Sequence, residues 1–461
     1  MKILFCSSEV FPFAKTGGLA DVSGALPEAL EKLGCQVKVA LPKYRGLQNK
    51  AGKLGQNIEV YFIENEKYFD RSGLYGTEQG DHPDNLERFT FFCQKTLELI
   101  KQADFKPDII HCNDWQTALI PVYLKTVFAN DHFFNGTKTI FTIHNLAYQG
   151  LFPRDKFDQT GLDKELFSIR GLEFFGKINL LKGGLVFSDF LTTVSPTYAE
   201  EIQTLKFGCG LDGVLRGRKK DLIGIINGLD TKVWDPQNDD KIFQRYGEQS
   251  YADKAINKLG LQDELGLVAD QKLPLIGMVG RLAEQKGMEL VISTIEQLLD
   301  LKLQVVILGT GEQRYHLSLG ELSKKFSGRF SVNLRFDEML AHKIYAGSDF
   351  FLMPSFYEPC GLGQLIAFKY GTIPIVHQTG GLADTVSDYD PGSGVSNGFV
   401  YHKNTGAQML KAIARAQELY QRPQQQWPEL IRRVMGYDFS WDSSAKKYIN
   451  LYKNVLSGRQ N

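Results

Sequence analysis

Two kinds of hydrophobic patterning alternate along most of the chain. Short runs dense in β-branched and aromatic residues, namely KILFCSS, QVKVALP, FTFFCQ, DIIHCND, TIFTIHN, FLTTVS and LIGIING, are separated by longer helical patterns, the first spanning about Gly18 to Leu33. The runs read as strands and the intervening stretches as helices. Their alternation predicts βαβ units, and hence a mostly parallel sheet with helices on both faces. After LIGIINGLD the pattern lapses. In TKVWDPQNDDKIFQRYGEQS, Pro236 and a run of Asn, Asp and Gln interrupt any helix, so a connection between domains is expected there. The alternation then restarts with LPLIGMVG, a helix from about Gln285, LQVVILG, a further helix, FSVNLRF, a helix near Ala341, DFFLMP, a helix from about Gly361, and TIPIVH. This predicts a second doubly wound α/β domain. From about Ala407 to Leu456 helix formers dominate and only GFVY gives a strand signal. The pattern alone leaves open which half that tail joins.

Composition sharpens this picture. A chain of 461 residues exceeds what one core supports, since single cores stop growing at about 250 to 300 residues. Apolar residues at 43% and charged residues at 23% are those of a folded globular protein. Lys plus Arg and Asp plus Glu both number 53, so there is no basic excess to suggest nucleic acid. Six cysteines without a CxxC pair or regular spacing argue against zinc and disulfide frameworks and fit a reducing compartment. The N-terminal MKILFCSSEV has one basic residue and an apolar run ended by Glu9, which suits a first strand better than a secretion signal. No stretch approaches the ~20 apolar residues of a membrane span. A cytosolic protein without a membrane partner is expected.

One hexapeptide occurs twice: TGGLAD fills Thr16 to Asp21 and again Thr379 to Asp384, each time after a strand and at the start of a helix. The first amides of such a helix lack intrahelical acceptors, and its dipole favours negative charge, so each loop can receive a phosphate. Lys15 adds a cation to the first. The alternative is that paired glycines only permit tight strand-to-helix turns, with Asp21 and Asp384 as solvated first-turn charges.

Further residues stand at predicted strand ends, where open α/β sheets bind ligands. GRLAEQKG places Arg281 and Lys286 there, a guanidinium and an ammonium able to neutralise a diphosphate without metal, or else two solvated charges. In SFYEPCGLGQ, Glu358 could accept sugar hydroxyls or stabilise positive charge at an anomeric carbon. HCNDWQT presents Asp114 and Trp115, and TIHNLAYQG presents His144 and Asn145. Polar groups beside an aromatic suit a sugar, although a lone His is often a satisfied structural residue. Two patterns mislead. GCGLDG, Gly208 to Gly213, matches GxGxxG but follows a helical pattern rather than a strand, and Asp388 with Asp390 forms a DxD without other metal ligands nearby.

Taken in order, KTGGLADVSGALP, HNLAYQG, INGLD, GRLAEQKG, EPCGLGQLIAFKYG and TGGLADTV closely resemble bacterial glycogen synthases and plant starch synthases. The resemblance implies the GT-B fold, with two Rossmann-like domains facing a cleft: residues 1–240 on the acceptor side, 241–440 on the nucleotide-sugar side, and 441–461 as a helix crossing back to the first. It implies retaining transfer of glucose from ADP-glucose to the non-reducing end of an α-1,4-glucan, with ADP released and no cofactor or metal. By motif, Lys15 and Gly18 would approach the donor phosphates, supported by Asp21, and Arg281 and Lys286 would hold the diphosphate. Thr379, Gly380 and Gly381 would offer helix amides. Glu358, with the backbone of Cys360, Gly361 and Leu362, would grip the glucose. His144 would lie beside the anomeric carbon, with Asp114, Trp115, Asn145 and Asn227 lining the sugar and acceptor pocket. In the wider fold class a second Glu follows the first by eight positions; here Ile366 stands there, and synthases of this type likewise lack that Glu. UDP-glucose or a small acceptor, a silent glucan-binding scaffold and a nucleotide-dependent dehydrogenase are the competing readings. The last lacks a correctly placed GxGxxG.

Overall fold

The structure is a computed structural model that describes residues 1–47, 51–77, 79–422 and 426–458. The chain divides into two compact units, Met1–Gly228 with Trp441–Asn461, and Leu229–Ser440. The first is built on strands β1 (Lys2–Cys6), β2 (Gln36–Pro42), β3 (Ala51–Leu54), β4 (Ile58–Ile63), β5 (Ile109–Asn113), β6 (Lys138–Ile143), β7 (Phe190–Thr193) and β8 (Leu222–Gly224). They form one eight-stranded sheet in the order β8-β7-β6-β5-β1-β2-β4-β3. Neighbours are parallel except β3, which runs antiparallel to β4. The order reverses between β1 and β5, and the loops leaving the carboxyl ends of these two strands flank that switch point.

The second unit carries β9 (Leu275–Val279), β10 (Gln304–Leu308), β11 (Phe330–Asn333), β12 (Phe350–Met353), β13 (Ile373–His377) and β14 (Phe399–Tyr401). Its six-stranded sheet has the order β11-β10-β9-β12-β13-β14 and is parallel throughout, with the switch between β9 and β12. Strands covered on both faces are mostly apolar, which is why they were visible as runs: every residue of β5, β10, β12 and β13 is buried.

One run was misread. FTFFCQ lies inside the helix Asn85–Gln102, not in a strand. Leu86, Phe89, Phe92, Cys93, Leu97 and Ile100 are buried there, at the three- and four-residue steps of one helix face. Crowded aromatics mimicked a strand, whereas β4, IEVYFI, takes the place in the sheet. GCGLDG ends the loop that follows the helix Pro196–Glu201, and its last two residues open the helix Asp212–Gly217. All six cysteines are free thiols, five of them buried. No helix among the described residues is long and apolar enough to cross a membrane.

The boundary expected at 240 falls instead between Gly228 and Leu229. The polar segment that follows is anchored in the second unit: Trp234 stacks on His342 with ring centroids 4.0 Å apart, and the buried Asp239 lies 2.7 Å from His342 Nδ1. Tyr370 donates its hydroxyl to the same carboxylate oxygen at 2.6 Å, and Tyr246 donates to the Tyr370 carbonyl at 2.7 Å. Polar composition thus concealed a buried network. The helix Trp441–Leu456 packs on the helix Gly18–Lys32 of the first unit, where Ser444 donates to the Ile226 carbonyl at 2.7 Å and Tyr452 meets His111 Nδ1 at 2.6 Å.

Burial pushes the Asp239 carboxyl up, but hydrogen bonds from His342, Tyr370 and the Lys241 amide outweigh it and hold the group below its ordinary range. Its contribution is therefore present above the unfolded value near ~4 and is lost as pH falls through the lower folded value. Asp239→Ala should cost about 3 kcal/mol in urea unfolding followed by tryptophan fluorescence, with part of the acid sensitivity removed. An unchanged midpoint at pH 7 would contradict this.

Candidate functional site

In the second unit the site grows from three loops at the carboxyl edge of the sheet. After β9, Arg281 is exposed and a short 3-10 turn, Glu284–Lys286, leads through Gly287 into the helix Met288–Asp300. Gly287 has φ +73°, and a Cβ there would sit 2.1 Å from the Pro354 carbonyl oxygen of the loop after β12. Gln285 ties the same two loops: its carbonyl accepts the Phe356 amide at 2.8 Å and its side-chain amide donates to the Tyr357 carbonyl at 3.2 Å. Lys286 is thereby delivered to Glu358, Nζ to Oε2 at 2.5 Å. Ser355 Oγ donates to that oxygen at 2.9 Å. Glu358 is buried, and a charge so placed is tolerated because it is paired and hydrogen-bonded. Arg281 Nη2 reaches Gln285 Oε1 at 3.2 Å, and Arg281 and Lys286 both line a small cavity of about 40 Å³ floored by Met278, Met353 and Pro354.

The second hexapeptide, after β13, seals the loop from the other side. A Cβ on Gly380 would lie 2.0 Å from the Glu358 carbonyl oxygen, and one on Gly381 would lie 1.9 Å from that of Cys360. The Gly381 amide donates to the Glu358 carbonyl at 3.0 Å. That amide was expected to face a phosphate; it is spent on the loop instead. Gln364 donates to the carbonyls of Cys360 and Gly361 at 3.1 and 2.9 Å, so the backbone from Glu358 to Leu362 is held from two directions. Leu362 immediately precedes the helix Gly363–Lys369, in which Ile366 is buried, and Thr379, also buried, immediately precedes the helix Gly380–Thr385.

In the first unit the first hexapeptide is organised by Glu9, a residue that sequence reasoning passed over. Its buried carboxylate accepts the Thr16 amide at 2.5 Å, the Thr16 hydroxyl at 2.6 Å, the Gly17 amide at 3.1 Å and the Tyr75 hydroxyl at 2.7 Å. The helix then begins at Gly18. Lys15 is part-exposed, 2.6 Å from Asp21 Oδ1 and over the Phe11 ring at 5.4 Å.

At the end of β5, Asp114 adopts φ +55° and ψ −177°, a conformation costing about 1–3 kcal/mol in a residue other than glycine. The turn aims its carboxylate at β6, where Oδ1 accepts the His144 amide at 2.8 Å. His144 Nε2 lies 2.9 Å from Asn113 Oδ1. Burial drives the imidazole down to about 3 and the Asp114 carboxyl up to about 7, the latter against the pull of the His144 and Asn145 amides and with a further push from Glu9. Asn145 is half-buried and follows directly. Trp115 does not present a face for a sugar: it is buried, edge-on to Phe89 at 4.9 Å and Phe152 at 5.9 Å, with Gly150 against its ring. Asn227 is buried after β8 with no hydrogen bond to its Oδ1 among the described residues. Asp388 is engaged bidentately by Arg415, both contacts at 2.9 Å, and Asp390 accepts the amide of Gly392 in its own turn.

Two doubly wound units, each gathering cations, carboxylates and helix starts at the carboxyl edge of a parallel sheet, define a glycosyltransferase of the GT-B class. Residues 2–217 match the starch synthase catalytic domain, and residues 265–429 match the glycosyl transferases group 1 family. The glycogen synthase of Syntrophotalea carbinolica is 48% identical over 99% of both chains, and that of Thermotoga maritima 45% identical over 99% of both. Among solved structures, the catalytic domain of starch synthase IV from Arabidopsis thaliana bound to ADP and acarbose superposes with a TM-score of 0.90 at 35% identity, covering 99% of each chain. Sucrose-phosphate synthase from Thermosynechococcus elongatus, at 18% identity and a TM-score of 0.63 over 99% of each chain, shares the fold. The chain belongs to the glycogen and starch synthase family and is a glucosyltransferase.

Because the folded Asp114 carboxyl titrates near 7 rather than near ~4, it favours the fold below the unfolded value, and that stabilisation is lost as pH rises through about 7. Asp114→Asn keeps an acceptor for the His144 amide and cannot ionise. The variant should gain about 4 kcal/mol relative to the parent between pH 4 and pH 8 in denaturant unfolding. Parallel stability profiles would refute the assignment.

Proposed function

We propose that this glucosyltransferase takes glucose from ADP-glucose, adds it to the non-reducing end of an α-1,4-glucan with retention, releases ADP and needs no metal. The observation that carries this reading is the Lys286–Glu358 pair beside Arg281 at the edge of the second sheet. A diphosphate leaving group demands positive charge fixed in advance, and a guanidinium with an ammonium supplies it where a metal would otherwise be used. Glu358, held by Lys286 and Ser355, is suited to accept hydroxyls of the departing glucose. As the glycosidic bond to the diphosphate lengthens, negative charge accumulates on the phosphate oxygens and is met by Arg281 and Lys286. The incoming hydroxyl can then add from the face that the diphosphate leaves, with the released phosphate taking its proton. Lys15 is assigned to the same phosphates, His144 to the sugar, and Asp114 and Asn145 to the shape of the sugar pocket. The work is positioning and charge stabilisation, so no protein nucleophile is required. The ADP and acarbose bound in the starch synthase IV structure support a nucleotide and a glucan-like chain as the two substrates.

Incubation of the full chain with radiolabelled ADP-glucose, glycogen and EDTA should move label into polymer with stoichiometric ADP, and UDP-glucose should be the poorer donor. Arg281→Ala and Lys286→Ala should each lower kcat/KM by about 10² to 10³ with an unchanged circular dichroism spectrum. Glu358→Ala should lower kcat more than ADP affinity. Near-parental turnover in both cation variants would overturn the phosphate assignment.

A further inference from the structure

We infer that Asn113 is a positioning residue: it fixes the tautomer of His144 and thereby makes imidazole Nδ1 the acceptor for a sugar hydroxyl. The inference rests on the assignment of His144 to the sugar.

Asn113 is the last residue of β5 and fully buried. Its side-chain amide makes two contacts of equal length. Nδ2 donates to the Cys6 carbonyl of the neighbouring β1 at 2.9 Å, and Oδ1 lies 2.9 Å from His144 Nε2. A peptide carbonyl can only accept, so the amide nitrogen must face Cys6. Turning the amide over would set two oxygens 2.9 Å apart with no proton between them, in a site without solvent to relieve the repulsion. Oδ1 therefore faces the imidazole, and Nε2 must carry the hydrogen.

A neutral imidazole has only one ring proton. Burial drives His144 down to about 3, so it is neutral throughout the ordinary pH range and Nδ1 is left as a bare lone pair. Among the described residues Nδ1 makes no hydrogen bond. The backbone of the same residue is pinned by Asp114, whose Oδ1 accepts its amide at 2.8 Å. Ring direction and ring tautomer are thus set by adjacent residues of one strand end, Asn113 and Asp114. The chemical consequence is specific. His144 accepts a hydrogen bond from a substrate hydroxyl, and does not protonate the leaving phosphate. A sugar lacking the hydroxyl in question would leave the lone pair unpaired, so the contact selects as well as orients.

The test uses full-length enzyme labelled with 15N in histidine, with His144 resonances identified by their loss in His144→Gln. Two-bond 1H–15N correlations of the parent should show Nε2 protonated and Nδ1 unprotonated, without titration between pH 5 and 8. Asn113→Ala should mix the two tautomers and lower kcat by tenfold or more while changing the ADP-glucose KM less than threefold. Asn113→Asp, protonated in this buried site, can donate its hydroxyl to the Cys6 carbonyl and accept Nε2–H on its other oxygen, so it should restore the single tautomer. A parent spectrum with hydrogen on Nδ1, or an averaged one, overturns the inference whether or not the variants fold. A parent spectrum as expected combined with full activity in His144→Gln would instead remove the sugar assignment on which the role of Asn113 depends.

Discussion

The carboxyl edge of the second sheet depends on backbone contacts too close for any side chain. Gly287 stands against the Pro354 carbonyl, Gly380 against that of Glu358 and Gly381 against that of Cys360, each at a distance that a Cβ would bring to about 2 Å. These approaches set the separation of the loops after β9, β12 and β13 before any charge is considered. Lys286 and Glu358 then meet because their loops are already joined. An ammonium and a carboxylate withdrawn from water gain little net energy by themselves, since desolvation offsets most of their attraction. Here the entropy of bringing them together has been met by the scaffold, and Ser355 satisfies part of the carboxylate's remaining capacity. The ion pair is thus a product of the backbone geometry, not the force that creates it.

Identical hexapeptides serve different constraints in the two units. In the second copy the glycines are crowded by carbonyls, and the Gly381 amide is consumed in holding the Glu358 loop. In the first copy Gly17 has an extended φ of −157°, open to any residue, and a Cβ there would meet nothing within 4 Å. The first loop draws its order from Glu9, which gathers the Thr16 and Gly17 amides from below, and leaves the space above Gly17 open. One copy is a structural seal and the other an uncovered surface. That difference is invisible in the letters TGGLAD, because it lies in what surrounds them.

Much of the fold was legible for a simple reason. Strands buried on both faces carry mostly apolar runs, and their regular alternation with helices admits few topologies. FTFFCQ failed because a helix with aromatics on its buried face can crowd them into a strand-like run, and β3 and β4 lacked flanking signals strong enough to separate them. The linker was misplaced by twelve residues because Asp239, His342 and Tyr370 satisfy one another across more than a hundred positions of sequence. Of the site, residues at strand ends were recoverable, since ligand loops follow strands by rule. Trp115 was assigned from its neighbours in sequence, whereas Phe89 and Phe152, its neighbours in space, enclose it. Glu9, Asn113, Ser355, Gln285 and Gln364 were passed over for the same reason. Each supports a named group through contacts that a motif does not encode, although Asn113 and Gln285 directly precede Asp114 and Lys286 in the sequence.

Burial sorts the electrostatics of the two strand edges into complementary kinds. Around β5 and β6 Asp114 is buried and His144 half-buried without a compensating ion, so desolvation drives both ionisable groups toward their neutral forms, the His144 imidazole downward and the Asp114 carboxyl upward. What remains is a set of directed, uncharged donors and acceptors, which is how hydroxyls are best matched. Around β9 and β12 the cations stay partly in contact with water and keep partners: Lys286 has Glu358, and Arg281 has Gln285. Charge survives there because it is never left both buried and alone. The sorting needs no specialised chemistry at either edge. It follows from which side chains the loops bury, and whether each buried side chain is given an opposite charge.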